Sequence, residues 1–328
     1  IFAFLSCPLL AQGTGRKNVA LKIKGPWLHS LFSFLSHGRC FSQERISSIT
    51  GVEVKGYFFN CLNKSSLLDR LSQIEAFSLK NGAGILGVDL AADFLAHKWD
   101  AVCAKMKIPV TTGNALVAWS AHEAIYRMAR LKHIELKCAS LAVIGISHPA
   151  AALCSKKFSG LVRSLVIFDY DRDKLKRLYD KILKSAPRNA PVMASSVSEA
   201  VKGCDIVLSG GNLQDENLYP EAINPGGIIC NILAPGMSIG KKNSFRGSSV
   251  INAGLIKLPR VNNFRLIPGL APNILFASMA ETMLLTLEQK FADYSGNEDT
   301  NIEKMEEIAD IAARHGFEVW VPEAPLDL

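Results

Sequence analysis

The 328-residue sequence predicts an α/β fold built on a doubly wound parallel sheet. Three observations predict it. Short unbroken apolar runs such as LAVIG (141–145), SLVIFDYD (164–171), CDIVLSGG and GGIICNIL alternate with helical text, and runs of this kind suit parallel strands covered on both faces. Between the first two lie a tight turn and AAALCSKKFS, long enough for a crossover helix. The second run ends in acid, FDYD. Together these make a βαβ unit of the Rossmann type.

The elements follow in order. IFAFLSCPLLAQG has the small-residue end of a signal peptide but no basic leading segment and no initiator Met, so it reads as an opening core strand. SSITGVEVKGYFF alternates like a strand or hairpin, and SSLLDRLSQIEAFSLKNG has helical spacing with a serine start and a glycine stop. ILGVDLAADFLAHKWDAVCAKM reads as a strand or turn entering a helix. IPVTTGN (108–114) is a junction, and 115–131 is a strong helix. Beyond the βαβ unit come PVMAS, SSVSEAVKG, CDIVLSGG, GGIICNIL and SSVINAG, whose strand and helix alternation continues the sheet. NILFASMAETMLLTLEQKF and TNIEKMEEIADIAARHG read as two amphipathic helices, with Gly316 as the stop. The expected division is an N-terminal α/β substrate lobe over 1–114, the Rossmann domain over 115–262, and C-terminal helices over 263–328 that pack back on the body.

Composition narrows the class. A hydrophobic content of 48% supplies a buried core, and the formal charge of +7 is spread through helices rather than gathered in a run. That pattern marks solvated faces and favours an acidic partner through steering, but no nucleic-acid motif accompanies it. No segment approaches the ~18 apolar residues of a membrane span. The eight cysteines form no C-x-x-C and no zinc spacing, which points to no metal, reduced thiols and a cytoplasmic protein.

The chemistry-bearing residues cluster at strand ends, where ligands of doubly wound sheets sit. Against a G-x-G-x-x-G turn the chain reads Gly145, Ser147, Ala150, so a hydroxymethyl group stands where a pyrophosphate would come nearest. His148 precedes Pro149, a residue suited to a first helical position, and the helix presents a positive dipole end to an anion. Asp169 and Asp171 lie where a carboxylate accepts ribose hydroxyls, and Arg172 is placed to pair with a phosphate. The competing reading is an acid-rich start to the helix DRDKLKRLYDKIL. Ser209 and Gly210, the loop 233–236, and Asn252 with Gly254 complete a ring of loops around the expected site; ordinary turns are the alternative. His122 and His148 are the weak candidates for an acid or base. Thr111, Thr112 and Asn114 read either as a helix cap or as substrate contacts at the cleft. Lys98 and Asp100 match a lysine and acid pair of dehydrogenases in composition only.

Several of these segments together resemble the long-chain acyl-[acyl-carrier-protein] reductase family, the fatty-aldehyde-forming enzymes. They are SSITGVEVKGYFFNC, VTTGN, LAVIGISHPAAALC, VINAGLI, LFASMAETMLLTLE and IEKMEEIADIAARHGF, in the family's order and over nearly the whole chain. The resemblance implies nicotinamide-dependent reduction of an acyl thioester to an aldehyde and an acyl carrier protein as partner, and it places Glu281 and Glu303 at family positions. Three departures stand beside it. The family's nucleophilic cysteine is expected at 258–261, where this chain has LPRV. The glycine turn is shorter and poorer in glycine. FDYD replaces the basic residue that serves NADP, so NAD(H) is favoured over NADP(H). The expectation is a divergent NAD(P)-dependent oxidoreductase acting on an acyl or carbonyl group, with a catalytically inactive accessory or acyl-carrier-binding subunit as the alternative.

Overall fold

The computed structural model describes residues 1–6, 42–60, 67–89, 103–185, 189–210, 222–232, 247–260, 262–265, 270–294 and 301–321. Lys98, Asp100 and the loop 233–236 lie outside them.

The opening strand, β1 (Phe2–Ser6), sits at the centre of a five-stranded sheet. It pairs in parallel with β3 (Glu53–Asn60) on one side and β4 (Ile85–Asp89) on the other. β2 (Ser42–Ser47) adds an antiparallel edge to β3, and the two-residue β5 (Val110–Thr111) closes the far side beside β4. The phenylalanines and aliphatics of β1 alternate between two cores. Ala3 and Leu5 face Leu71 and Ile74 of α1 (Leu67–Lys80), which crosses from β3 to β4. Phe2 and Phe4 face the opposite layer with Phe58 and Ile85.

That opposite layer is α6 (Ala277–Leu287), all eleven residues of which are buried. The amphipathic helix expected here is instead buried all round, its polar Ser278, Glu281, Thr282 and Thr286 included, because the first sheet covers one side and other helices the rest.

The second sheet has six strands, all parallel, in the order β11-β10-β9-β6-β7-β8. These are β6 (Ser140–Ile144), β7 (Ser164–Phe168), β8 (Val192–Met193), β9 (Ile206–Ser209), β10 (Ile228–Asn231) and β11 (Ser249–Asn252). In chain order the spatial sequence is third, second, first, fourth, fifth, sixth, the doubly wound arrangement whose direction reverses between β6 and β9. Its strands are apolar on both faces as expected, with β6, β9 and β10 buried at every position. The crossovers α3 (Pro149–Phe158) and α4 (Arg172–Ser185) lie on one face, and α5 (Val197–Val201) on the other.

One helix belongs to both sheets. α2 (Asn114–Leu131) buries Ala115 and Leu116 in the core shared with β1 and α6, then Ala118, Ala121, Ala124, Ile125 and Ala129 in the core under the six-stranded sheet. Alanine at near-helical spacing makes a shallow face that admits α3 at close range.

A third, small sheet was not expected. The run VINAGLI holds two strands: Gly254, at φ 90°, turns the chain out of β11 and into β12 (Leu255–Lys257). There β12 pairs antiparallel with β13 (Ile274–Phe276) and with β14 (Glu318–Val319) after α7 (Ile302–His315). The C-terminal helices thus pack back on the body, anchored by a sheet.

The placement of α6 predicts a contrast in stability. Leu284→Ala, at a fully buried position, will cost about 2–5 kcal/mol by cavity formation. Leu131→Ala, at a position 73% exposed, will stay within about 0.5 kcal/mol of the parent. Equal midpoint shifts in urea denaturation would contradict the burial assigned to α6.

Candidate active site

The βα turn begins where β6 stops. Gly145 adopts φ 74°, a conformation strained for any side chain, while its N–H donates to the Phe168 carbonyl at 2.9 Å and its carbonyl accepts from His148 N–H at 3.1 Å. Gly145 therefore fills the first-glycine role of a nucleotide turn. His148 is the N-cap of α3: its Nδ1 accepts the Ala150 N–H at 3.2 Å, and Pro149 occupies the first turn. An Nδ1 that accepts places the proton of the neutral ring on Nε2, a donor at the helix start. This capping bond gives the weak acid or base candidate His148 a structural function.

Asp169 follows the last residue of β7 and is 6% exposed. Its Oδ2 accepts the Ser147 N–H at 2.6 Å and its Oδ1 accepts the Asp171 N–H at 2.9 Å. The acid thus locks the glycine-position residue Ser147 to the end of the neighbouring strand, and each oxygen keeps acceptor capacity for a ligand hydroxyl. Asp171 does what the competing reading proposed: it caps α4, accepting the Lys174 N–H at 3.0 Å, and that bond holds its carboxyl below the ordinary carboxylate value. Arg172 donates to the carbonyls of Ala194 and Ser195, each at 2.9 Å, and lies over the Phe168 ring. Two donors of its fork are engaged with the main chain after β8.

Across the reversal point, Ser209 is fully buried and Gly210 N–H donates to Ile144 O at 2.8 Å. A Cβ at Gly210 would meet the Ala151 Cβ at 2.6 Å and the Gly145 carbonyl at 2.9 Å. Close packing of turn against strand explains this glycine; Ala150, at the third glycine position, is fully buried. Asn252 ends β11 in register with Asn231, and Ser209 pairs with Asn231 from the other side. Gly254 donates its N–H to Ser120 Oγ at 2.9 Å, so it anchors the sheet to α2.

Thr111, Thr112 and Asn114 are brought together, but around a buried acid. Thr111 Oγ1 donates to Glu281 Oε1, and Glu281 Oε2 accepts the Leu116 N–H of α2 at 2.9 Å. Asn114 Nδ2 donates to Thr112 Oγ1 at 2.7 Å. The cap of α2 is therefore supplied from α6 rather than by its own N-cap, Gly113. Glu281 is 0% exposed. It is the one charged residue in ASMAETMLLTL, and a lone acid in an apolar helix signals a buried partner; that signal was available in the sequence. Glu303, by contrast, is an exposed first-turn residue of α7.

His122 does not reach the site. It packs between α2 and α3 against Phe158, ring centroids 4.9 Å apart, with Tyr126 stacked behind it. Phe158 is the last residue of α3, and nine helical steps at 1.5 Å set it roughly 13 Å from the turn. Burial, and then the nearby Lys157, lower the His122 pKa, while Glu123 and Glu306 oppose them.

At 258–260 the chain places Leu258, which is buried, followed by Pro259 and Arg260. Burial pushes the Cys154 thiol up to about 12, Cys204 up to about 11, and Cys230 well above its ordinary value. These are thiols, not thiolates, near neutral pH. No cluster of three metal-ligating side chains occurs among the described residues, nor does any helix among them have the length and apolarity to cross a membrane.

No protein-family model matches the chain. A curated protein, aminotransferase PigE of Serratia sp. (strain ATCC 39006), is 20% identical over 254 residues, 74% of this chain but 29% of its own length. The chain thus spans less than a third of that relative. Quinate dehydrogenase from Corynebacterium glutamicum, solved with NAD, is similar over 76% of this chain and 86% of its own at 12% identity and a TM-score of 0.39. The NAD-dependent malic enzyme from Thermotoga maritima covers 70% of this chain and 58% of its own at 18% identity and a TM-score of 0.36. These are distant likenesses, and the doubly wound assignment rests on the strand order itself.

Two measurements check the site's construction. Glu281→Leu leaves the Thr111 hydroxyl and the Leu116 N–H without their acceptor and will cost about 3 kcal/mol in urea denaturation, whereas Glu281→Gln, which retains one acceptor, will cost less. For His122, the folded pKa lies below the ordinary 6.5. The unfolded chain therefore binds the extra proton, so stability is full above the unfolded value and falls as pH drops below it. His122→Phe will make the denaturation midpoint fall less steeply between about pH 7 and pH 5; an unchanged slope would place the pH sensitivity elsewhere.

Proposed function

We propose that the chain is a divergent NAD(P)-dependent oxidoreductase that acts on a carbonyl or acyl group, with NAD(H) favoured over NADP(H). The single observation that carries the reading is the direction reversal of the six-stranded sheet between β6 and β9 with the Gly145 turn, the start of α3 and Asp169 gathered beside it. In such sheets a dinucleotide lies across that crevice, its diphosphate at the helix N-terminus and its ribose on the strand-end acid.

The residues present fit that group in part. Gly145 supplies the turn, the α3 dipole favours a diphosphate, and Asp169 retains acceptor sites for ribose hydroxyls. An acid there also repels a 2′-phosphate, and the Arg172 fork is held by the Ala194 and Ser195 carbonyls. A bound nicotinamide supplies hydride, for which the protein needs to position the carbonyl and exclude water. Cys154, Cys204 and Cys230, which burial holds as thiols, are poor nucleophiles for a route through an acyl-enzyme. The family resemblance adds an acyl thioester carried by an acyl carrier protein as the substrate form, and the formal charge of +7 suits such an acidic partner.

A second reading has its own support. Two main-chain donors that would face a diphosphate, Ser147 N–H and Ala150 N–H, are engaged by Asp169 and His148. With the cysteine also missing, an inactive accessory subunit that keeps the fold is the competing proposal, and it predicts no dinucleotide affinity.

Calorimetric titration with NADH and NADPH separates the two. The oxidoreductase reading expects heat with NADH and weaker binding of NADPH. Ser147→Asp, which sets a like charge against the diphosphate, will weaken NADH at least ~10-fold, and Ser147→Gly will strengthen it. No heat from either nucleotide with the parent protein would leave the accessory reading standing.

A further inference from the structure

We infer that Tyr170 is the side chain on which the adenine ring of the dinucleotide stacks, an inference that rests on the dinucleotide reading above. Tyr170 is 73% exposed, among the most exposed large apolar side chains of the described residues, and it immediately follows the buried Asp169. Strand alternation continues past β7: Leu165 and Ile167 face the core under α3, while Phe168 faces the opposite core. Asp169 accordingly reaches back to the turn at α3, and Tyr170 falls on the other face, its ring set edge-on to Phe168 at 5.2 Å and 78°. The acid and the ring therefore straddle the end of one strand. A ribose held through its hydroxyls by Asp169 carries its base past the next residue of the chain, which is Tyr170.

The surroundings leave that ring available. Phe168 fixes its attitude from one edge without covering it, and Arg172, the nearest long cation, is drawn away to the carbonyls of Ala194 and Ser195. An exposed aromatic fixed in this way is a stacking platform, since every base offers a π-face. The bland alternative, a solvated surface tyrosine, makes a different prediction and is an outcome of the test.

The test compares NADH with reduced nicotinamide mononucleotide, which lacks the adenine, by nicotinamide fluorescence on the parent protein, Tyr170→Ala and Tyr170→Phe. Loss of stacking in Tyr170→Ala will weaken NADH ~10-fold and leave the mononucleotide unchanged, while Tyr170→Phe will bind NADH within ~2-fold of the parent. Tyr170→Ala binding NADH as tightly as the parent, or weakening both ligands alike, overturns the stacking assignment and leaves the dinucleotide reading intact. A parent protein that binds neither NADH nor NADPH overturns both.

Discussion

One buried carboxylate ties the first sheet to the helix that runs through both cores. Glu281 lies within a wholly buried helix and makes its bonds to two other stretches of chain, the Thr111 hydroxyl at the end of β5 and the Leu116 N–H in the first turn of α2. A charge in that setting is costly unless its oxygens are satisfied, and here each oxygen has a donor, one of them at the positive end of a helix dipole. α2 then runs on into the core of the six-stranded sheet. The start of the helix shared by the two cores is thereby tied to α6 and β5, since its own N-cap residue, Gly113, makes no side-chain cap bond.

The same device recurs at the crevice. Orphan amides at the start of α3 and α4 are answered by His148 and Asp171, and the amide of Ser147 by Asp169. Each residue that a motif reading would assign to a ligand already has a structural bond. For Asp169 this is compatible with binding, because a carboxylate offers about four acceptor sites and two are taken. A site whose acid is fixed by main-chain donors loses little side-chain freedom when a hydroxyl arrives, which is the physical meaning of preorganisation. For Arg172 two of the five guanidinium donors are taken by main-chain carbonyls, which holds the side chain against the segment after β8.

Much of the fold was legible in the sequence because parallel strands buried on both faces leave unbroken apolar runs, and LAVIG, SLVIF, CDIVL and GIICN do so. The opening IFAFLS was legible for the same reason and proves to be a central strand. What the sequence concealed was pairing between distant segments. GLI reads as a continuation of VINA, yet a positive-φ glycine sends it to a separate sheet with partners that lie beyond it in the chain. Periodicity alone also could not reveal that α6 is covered on every side. At the site, Gly145 was legible from backbone requirements, and the capping function of Asp171 was visible as an alternative. His122 was misplaced because its distance from the turn depends on how α2 packs along α3, a tertiary quantity with no local signal.

The thiols and the crevice together constrain what chemistry this architecture can support. Acyl transfer to cysteine needs a thiolate, and the buried Cys154, Cys204 and Cys230 are all pushed away from that form by desolvation. Leu258, where a nucleophile was expected nearby, is instead packed in the core shared by α6 and the first sheet. Cysteine in place of Leu258 itself would bury another thiol. Leu258 belongs to that core, whereas Gly145, Asp169 and the start of α3 stand at the rim of the other sheet. Dinucleotide affinity is therefore the property whose measurement separates an oxidoreductase from a subunit that has kept only the scaffold.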